Sequence, residues 1–362
     1  MFRNKTGVAL RDMLESQGED MAVEVVRNLM ETKKVRPEDF SIREIWEACH
    51  PSKPGMPTDI SEAIVSSAFP KLTGELINSR LIAAYNAVPT IGDQLVTTVP
   101  SNVQNETIAG VTDLETPEEV GEGQAYNSST ITEKYVTAQN VKYGRMIDIT
   151  EETIMFDKTG QILRRAAGIG TKAAQYKERL ILRGVQDLDT SVYRPSGTPT
   201  AFYSAGNANL ITSNSFGESG LEEVIKAAQL MKSDALGTID DDYIFIDLNN
   251  MQVLVPVQLW VEAWQMAMST KTPESNENAE NFFKGRFNPL SSPYISKASA
   301  TTWYAGMFKE DFWWLEVWPL QVLTQRPGHE DEFKRDIKAR HKVRFYGTCA
   351  AVDTKHCFKN TA

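Results

Sequence analysis

Residues 150–184 read TEETIMFDKTGQILRRAAGIGTKAAQYKERLILRG, and the rest of the chain is organised around this stretch. Thr150 and the two glutamates after it are typical of a helix start, since a hydroxyl can cap N–H groups and negative charge suits the positive end of the helix dipole. With Gly184 as a stop, the stretch predicts a helix over residues 159–183, about 37 Å long at ~1.5 Å per residue. Its predicted buried stripe, narrow and rich in alanine, is Ile162, Ala166, Ile169, Ala173, Tyr176 and Leu180.

The rest of this predicted helix is basic. Residues 158–183 contain seven Lys or Arg and one acid, Glu178, so their net charge is +6 in a chain whose net charge is −10. A charged helix face is usually just solvated, but an acidic segment upstream favours a contact role. The predicted contact residues on the helix are Arg164, Arg165, Lys172, Lys177, Arg179 and Arg183.

The acidic segment, residues 106–133, contains seven carboxylates and no Lys or Arg. Residues 107–111 and 135–149 have strand-like patterns, and Pro, Gly, Asn and Ser lie between them, which predicts a two-stranded arm with an acidic tip. An isolated pair of strands is marginal, so the arm needs another surface, and its charge predicts head-to-tail self-association. Each exposed pair would contribute about 0–1 kcal/mol, but many together would set the register. The predicted contact residues on the arm are Glu106, Asp113, Glu115, Glu118, Glu119 and Glu122.

The composition excludes several classes of protein. The 362 residues predict two or three domains, and the acidic balance argues against a nucleic-acid-binding surface. The first 17 residues lack the apolar core of a secretory signal, and the most apolar run, residues 253–268, is interrupted and too short for a membrane span. Three cysteines fit a reducing compartment without structural disulfides.

Periodicity predicts further elements on both sides of the central helix. Short helices are expected in residues 1–50, followed by a Pro-rich linker and a helix over residues 69–86. Downstream, helices are predicted for residues 220–236 and 254–269. Strands are predicted for residues 301–308, 312–317, 320–326 and 339–352.

No residue pattern indicates catalysis. The motifs GxSxG, HExxH and the Walker loop are absent, and the glycines at 168 and 170 lie inside the helical pattern. Asp240, Asp241, Asp242 and Asp247 could hold a hard cation, which leaves a metal-dependent enzyme in residues 190–325 as an alternative, although a solvated turn explains them more simply. His341, Cys349, His356 and Cys357 lack the CxxC spacing of a zinc site. We therefore predict no catalytic residue, no cofactor and no metal.

Taken in order, several segments resemble the major capsid proteins of tailed bacteriophages with the Hong Kong 97-type fold, Mu-type branch, over residues 40–362. The segments are FSIREIWEAC (40–49), AFPKLTGELINSRLIAAY (68–85), the acidic arm with IDITEETI (147–154) and the long helix, NPLSSPY (288–294) and VRFYGTCAAVDTKHCFKN (343–360).

The resemblance implies an α+β fold with six parts. They are an N-terminal helical segment (1–60), an N-arm with the start of the peripheral domain (61–105), an E-loop (106–134), a peripheral-domain strand and spine helix (135–185), an axial domain (186–320) and closing strands of the peripheral domain (321–362). In such proteins the E-loop lies over the peripheral domain and spine helix of a neighbouring subunit.

The implied function is a structural virion protein that assembles in the host cytoplasm into pentamers and hexamers of an icosahedral head. The head encloses DNA without reading its sequence. Implied partners are further copies of the chain and portal, scaffold or decoration proteins, with no membrane. Some relatives form a Lys–Asn isopeptide, which is disfavoured here because residues 106–133 contain no Lys. Lys359 and Asn360 could take part only with a Lys outside the tip, such as Lys134 or Lys142. An encapsulin-like nanocompartment shell is the alternative.

Overall fold

The structure is a computed structural model that contains two compact units. It describes residues 19–32, 45, 68–111, 119–124, 128, 133–150, 152–153, 161–188, 201–233, 243–244, 246, 251–271, 280–325 and 335–362. The first unit comprises Met1–Pro89, Lys142–Tyr176 and Trp318–Tyr346. The second unit comprises Thr90–Val141, Lys177–Val317 and Gly347–Ala362.

The described helices vary from one turn to seven. They are α1 (Glu19–Glu31), α2 (Ala68–Asn86), α3 (Gly92–Leu95), α4 (Gln161–Val185), α5 (Glu218–Gln229), α6 (Trp260–Met268), α7 (Pro293–Ser296) and α8 (Phe308–Asp311), with 3₁₀ turns at Ala205–Asn207 and Val257–Leu259. In the described part of the chain, no helix is both long enough and apolar enough to cross a membrane.

The described strands form two sheets and one separate ribbon. They are β1 (Thr97–Pro100), β2 (Asn105–Val111), β3 (Glu133–Gln139), β4 (Val141–Thr150), β5 (Leu210–Thr212), β6 (Met251–Val255), β7 (Phe287–Ser291), β8 (Trp303–Gly306), β9 (Phe312–Gln325), β10 (Ile337–Ala351) and β11 (Cys357–Thr361). One sheet has the order β1-β9-β10-β4, and the other has the order β5-β11-β8-β6-β7. The ribbon is the antiparallel pair β2-β3, in the register Asn105↔Gln139 to Val111↔Glu133.

The core of the first unit is formed by helices against strands. Helices α1, α2 and α4 contribute apolar residues that pack with β4 and β10. The fully buried members include Leu72, Leu76 and Leu81 of α2, Ala166 of α4 and Ile149 of β4. At the surface of the α1–α2 contact, the Arg27 side chain donates to the Glu75 carboxylate.

The core of the second unit is built on β8, the middle strand of the five-stranded sheet. All four of its residues are buried, and it pairs antiparallel with both β11 and β6. Helices α5 and α6 cover the sheet through Val224, Ala263 and Met266. The indole Nε1 of Trp303 donates to the Asn214 carbonyl at 3.1 Å, so even this buried aromatic residue has its polar atom satisfied.

Several elements agree with the sequence predictions. The long helix, the helix over residues 69–86 and the last long strand occur as α4, α2 and β10, within two or three residues of their expected ends. Val343, Phe345 and Cys349 lie on one buried face of β10, as the alternation predicts. The predicted helix 40–49 lies outside the described residues, apart from Ile45.

Other predictions are wrong. The predicted helix 254–269 contains the end of strand β6, and α6 begins only at Trp260. A short apolar run in a central strand, buried on both faces, cannot be distinguished from a buried helix by periodicity. The helix predicted for 220–236 ends at Gln229, and Lys232 instead forms a bridge with Tyr243.

The strand pairs next to the arm and near residue 310 also differ from the prediction. The expected single strand 135–149 is two strands, because Asn140 interrupts it and donates from Nδ2 to Ser101 Oγ and the Val103 carbonyl, both at 2.9 Å. The strands predicted for 301–308 and 312–317 belong to different sheets, with the helical turn α8 between them. The second of these strands continues to Gln325, so 312–317 and 320–326 are one strand, β9.

Candidate assembly surfaces

The buried face of α4 follows the ~3.6-residue period of an α-helix. The predicted stripe is correct in the first half of the helix, where Ile162 and Ala166 are buried. In the second half the buried residues include Ala174, Glu178, Ile181, Leu182 and Val185, whereas the predicted Tyr176 is 40% exposed. The prediction used a strict 3.5-residue spacing, and an α-helix drifts by about 20° per heptad from that repeat. The buried face therefore moves by one position along the helix.

The opposite face of α4 is exposed and basic. Arg165, Lys172 and Arg179 recur at seven-residue intervals, which places them on one side of the helix, and Arg164 lies next to this line. All four are exposed. Lys172 Nζ donates to Gln175 Oε1 at 3.0 Å within the helix. These four residues are called the basic face below.

Two other predicted contact residues of the helix are less exposed. The Lys177 side chain, which is 16% exposed, donates to Asp93 Oδ1 at 3.0 Å and lies 5.4 Å from the centroid of the Trp314 ring. Arg183 is half-buried near the helix end. We therefore expect Lys177 to position its own chain rather than to contact a neighbour.

Glu178 is a structural residue that the sequence analysis counted only as a charge. Its carboxylate is buried and accepts the backbone N–H groups of Ile91 at 3.2 Å and Gly92 at 2.7 Å. Burial raises the pKa of Glu178, and the two backbone hydrogen bonds oppose that rise. A signal was present in the sequence, because Glu178 is the only acid in a helix that is otherwise basic.

The base of the acidic arm packs against its own unit. Val136 and Ala138 of β3 are buried, and Ala138 lies in a cluster with Leu315, Ala350 and Ile108. At the base, the other surface that the arm was expected to need is therefore supplied by its own unit. Glu106, one of the predicted contact residues, is half-buried and accepts a hydrogen bond from Ser101 Oγ. It anchors the arm within its own chain.

The described part of the arm tip is exposed. Glu119 and Glu122 are exposed, and Glu122 lies in a turn in which the Gln124 N–H donates to the Gly121 carbonyl at 3.0 Å. Gly123 has φ of +83°, a left-handed conformation that favours glycine. The remaining predicted contact residues of the tip, Asp113, Glu115 and Glu118, lie outside the described residues. So do Asp240, Asp241, Asp242 and Asp247.

A compact polar cluster lies before β11 in the second unit. Asp311 is fully buried, and its carboxylate accepts the His356 backbone N–H at 3.1 Å and lies 2.8 Å from His356 Nδ1. Burial raises the pKa of Asp311 to about 6, and the hydrogen bond to Asp311 raises the pKa of His356.

Asp353 completes this cluster, with one ligand atom from each residue within 4.8 Å of the others. Among the described residues this is the one group of metal-type ligands, and neither Cys349 nor Cys357 belongs to it. His356 already satisfies the buried carboxylate of Asp311. These hydrogen bonds therefore join the end of α8 to the segment before β11.

The fold and these surfaces can now be compared with known proteins. A family model described as phage capsid protein matches residues 133–360, which is more than half of the chain. This chain belongs to the phage capsid protein family. Members of this family are structural proteins of the virion, so this capsid protein is not an enzyme. No curated protein matches the chain significantly.

Solved capsid structures agree with the family at the level of fold. The capsid of cyanophage P-SCSP1u is 10% identical in sequence, with a TM-score of 0.52 over 75% of this chain and 88% of that chain. The capsid of cyanophage Pam1 is 9% identical, with a TM-score of 0.50 over 71% of this chain and 84% of that chain. The capsid protein thus has an α+β fold of the Hong Kong 97 type, as the sequence predicted. As a capsid protein, it self-associates into capsomers of a phage head.

Proposed function

We propose that this capsid protein assembles as pentamers and hexamers in which the acidic arm of one subunit lies over the basic face of α4 in a neighbouring subunit. The observation that carries the proposal is the exposure of both partners: Glu119 and Glu122 on the arm, and Arg165, Lys172 and Arg179 on the helix. Opposite charges on two exposed surfaces of one chain favour a head-to-tail contact between copies. Repeating this contact gives a closed ring when the rotation from one subunit to the next closes after a whole number of subunits.

The proposal includes the assignment of parts. Residues 106–134 act as the E-loop, α4 as the spine helix of the peripheral domain, and residues 186–320 as the axial domain around the capsomer axis. Membership of the Mu-type branch rests on the sequences of residues 40–49 and 68–85. Portal, scaffold and decoration proteins are proposed as further partners in the head.

Charge reversal tests the arm–helix contact. Replacing Glu115, Glu118, Glu119 and Glu122 by Lys is expected to abolish normal particles, as seen by negative-stain electron microscopy and light scattering, because like charges would then face each other. The converse variant, Arg165→Glu with Lys172→Glu and Arg179→Glu, is expected to fail in the same way. Subunits carrying both sets of changes are expected to assemble again.

The matched control reverses acids elsewhere on the surface. Glu222 and Glu310 are exposed, and replacing both by Lys is expected to leave assembly intact. Normal particles from either single-surface variant, or no recovery in the combined variant, would contradict the arm–helix contact. Nuclease-protected DNA in native particles is expected for a phage head, whereas an encapsulin-like shell would contain a cargo protein instead.

A further inference from the structure

Helix α6 is apolar on two faces, although only one of them contacts the core. Ala263, Met266 and Ala267 point into the core of the second unit and are buried. The other face, together with the 3₁₀ turn before the helix, exposes large apolar side chains at spacings of four, three and four residues. They are Val257 (49% exposed), Val261 (63%), Trp264 (51%) and Met268 (55%).

A neighbouring turn extends this apolar surface at the end of α6. Asn281 Nδ2 donates to the Met266 carbonyl at 2.6 Å, and the Gly285 N–H donates to the Ala267 carbonyl at 2.9 Å. The turn carries Phe282, which is 54% exposed, and the Arg286 guanidinium lies 3.9 Å from the centroid of its ring. The α6 patch is defined as Val257, Val261, Trp264, Met268 and Phe282.

The α6 patch is large enough to be an interface. Five half-exposed side chains of this size present on the order of 500 Å² of apolar surface, and a stable protein interface takes roughly 800 Å² from each partner. A patch of this size is as large as the largest apolar patch on a typical monomer, and such patches often mark a contact site.

We propose that the α6 patch is covered by a second copy of this chain within the capsomer. The inference rests on the proposed function, since a chain that forms rings of identical subunits must offer a contact surface in each of them. Its area supplies more than half of what such a contact needs. Its exposed basic rim, Lys284 and Arg286, complements a partner of net charge −10, which is the charge of the chain itself.

Apolar-to-charged variants test the patch in the full-length protein. Val261→Glu with Trp264→Glu is expected to abolish capsomers and shells, measured by light scattering and electron microscopy. Both side chains are exposed within the subunit, so circular dichroism and the unfolding midpoint are expected to stay unchanged. Leu230→Glu is the control: Leu230 is 64% exposed in the same unit but lies outside the patch, and assembly is expected to persist.

Thiol labelling identifies what covers the patch. Met268→Cys is expected to react with maleimide in unassembled subunits and to be protected in assembled particles, whereas Leu230→Cys reacts in both. Cys349 and Cys357 are buried and give little background, and Cys49 is replaced by Ser in both variants. Protection that is already present in unassembled subunits would mean that the chain itself covers the patch, and would overturn the inference. Reaction in both states would overturn it as well.

Different results would contradict the proposed function and the α6 interface. If the wild-type chain forms neither rings nor shells, even with a scaffold protein, the proposed function fails. If wild type and the Val261→Glu/Trp264→Glu variant both assemble, only the α6 interface is wrong.

Discussion

Two glycines two residues apart in α4 have different environments. A Cβ atom on Gly170 would overlap the carbonyl oxygen of Leu81, so α4 and α2 cross here with their backbones in close contact. A Cβ atom on Gly168 would meet nothing within 4 Å. The sequence alone placed both glycines inside the helical pattern and did not distinguish between them. The structure shows instead that one of the two glycines is needed for helix packing.

Alanine substitutions at these positions are expected to have opposite effects. Gly170→Ala forces the helices apart and is expected to lower the free energy of unfolding of the first unit by about 1–3 kcal/mol. Gly168→Ala, the matched control in the same helix, is expected to raise it by roughly 0.5–1 kcal/mol, because glycine is a poor helix former. Urea titrations of the two variants would measure both effects. Equal effects would contradict the close crossing at Gly170.

His341 makes the stability of the first unit depend on pH. The side chain is fully buried in β10, and its Nδ1 lies 3.0 Å from Thr324 Oγ1, while Nε2 has no hydrogen-bond partner. Burial lowers the pKa of His341 from 6.5 to about 4. Between these values the unfolded chain binds a proton that the folded chain does not, so the contribution to stability is complete above pH 6.5 and decreases as the pH falls.

We therefore expect His341→Gln to reduce the loss of stability on acidification. Because the pKa falls from 6.5 to about 4, wild type is expected to lose on the order of 3 kcal/mol more than the variant between pH 7 and pH 4. Asp311 and His356 have raised pKa values, so their contribution to the stability of the second unit grows as the pH falls. The effect of His341 is therefore measured as the difference between wild type and variant. Chemical unfolding at both pH values would measure the difference, and equal losses would contradict a buried neutral His341.

At the scale of elements, α4 is fixed in the second unit by a buried acid and an exposed ion pair that differ in strength. Glu178 accepts two backbone N–H groups at the start of α3, where a Cβ atom on Gly92 would lie 2.7 Å from Glu178 Oε2. Lys177 beside it pairs with Asp93, which is 60% exposed. Removing an acceptor from buried donors costs more than breaking an exposed ion pair.

Glu178→Ala is accordingly expected to destabilise the second unit by about 1–3 kcal/mol, because the N–H groups of Ile91 and Gly92 lose their acceptor. Asp93→Ala, which removes only the exposed partner of Lys177, is expected to cost less than about 1 kcal/mol. Thermal unfolding of both variants at pH 7 would rank them. A larger effect from Asp93→Ala would show that the ion pair, and not the buried acid, holds α3 to α4.

Local patterns predicted the elements whose signal is long or strictly alternating. Helix α4 has 25 residues and β10 has 15, so small local errors do not alter their assignment. Strand β6 was missed because burial on both faces removes the alternation on which the prediction depends. The role of Glu178 was missed because the N–H groups that donate to its buried carboxylate belong to residues 91 and 92, which are far away in sequence. The charge pattern did predict the exposed basic face, since the charges of α4 are segregated from its apolar stripe.

At the scale of the whole molecule, the two proposed contacts with neighbouring subunits use different kinds of surface. The arm tip and the basic face carry opposite charges, whereas the α6 patch is apolar. Salt screens exposed charges, reducing the Debye length from about 10 Å at 0.1 M to about 3 Å at 1 M, but it does not weaken an apolar contact.

Assembly through the arm is therefore expected to weaken as salt rises. Light scattering of wild type between 0.1 and 1 M NaCl is expected to show progressive loss of complete shells. A variant with Arg165, Lys172 and Arg179 replaced by Gln is expected to assemble poorly at every salt concentration, with little further change. If wild-type assembly is insensitive to salt, charge does not set the arm–helix register.

The two faces of α4 also restrict what mutation can change over evolutionary time. The buried face restricts side-chain size, because Ala166 and Ala174 are buried in a close-packed interior and a Cβ atom on Gly170 would overlap the Leu81 carbonyl oxygen. The basic face needs only positive charge, which either Lys or Arg supplies at any of several positions. Under the proposed arm–helix contact, phage lineages can exchange the exposed residues freely, provided that the arm keeps the opposite charge. A shell can in this way retain its architecture while little of its sequence stays the same, and subunits of diverged lineages would no longer be interchangeable.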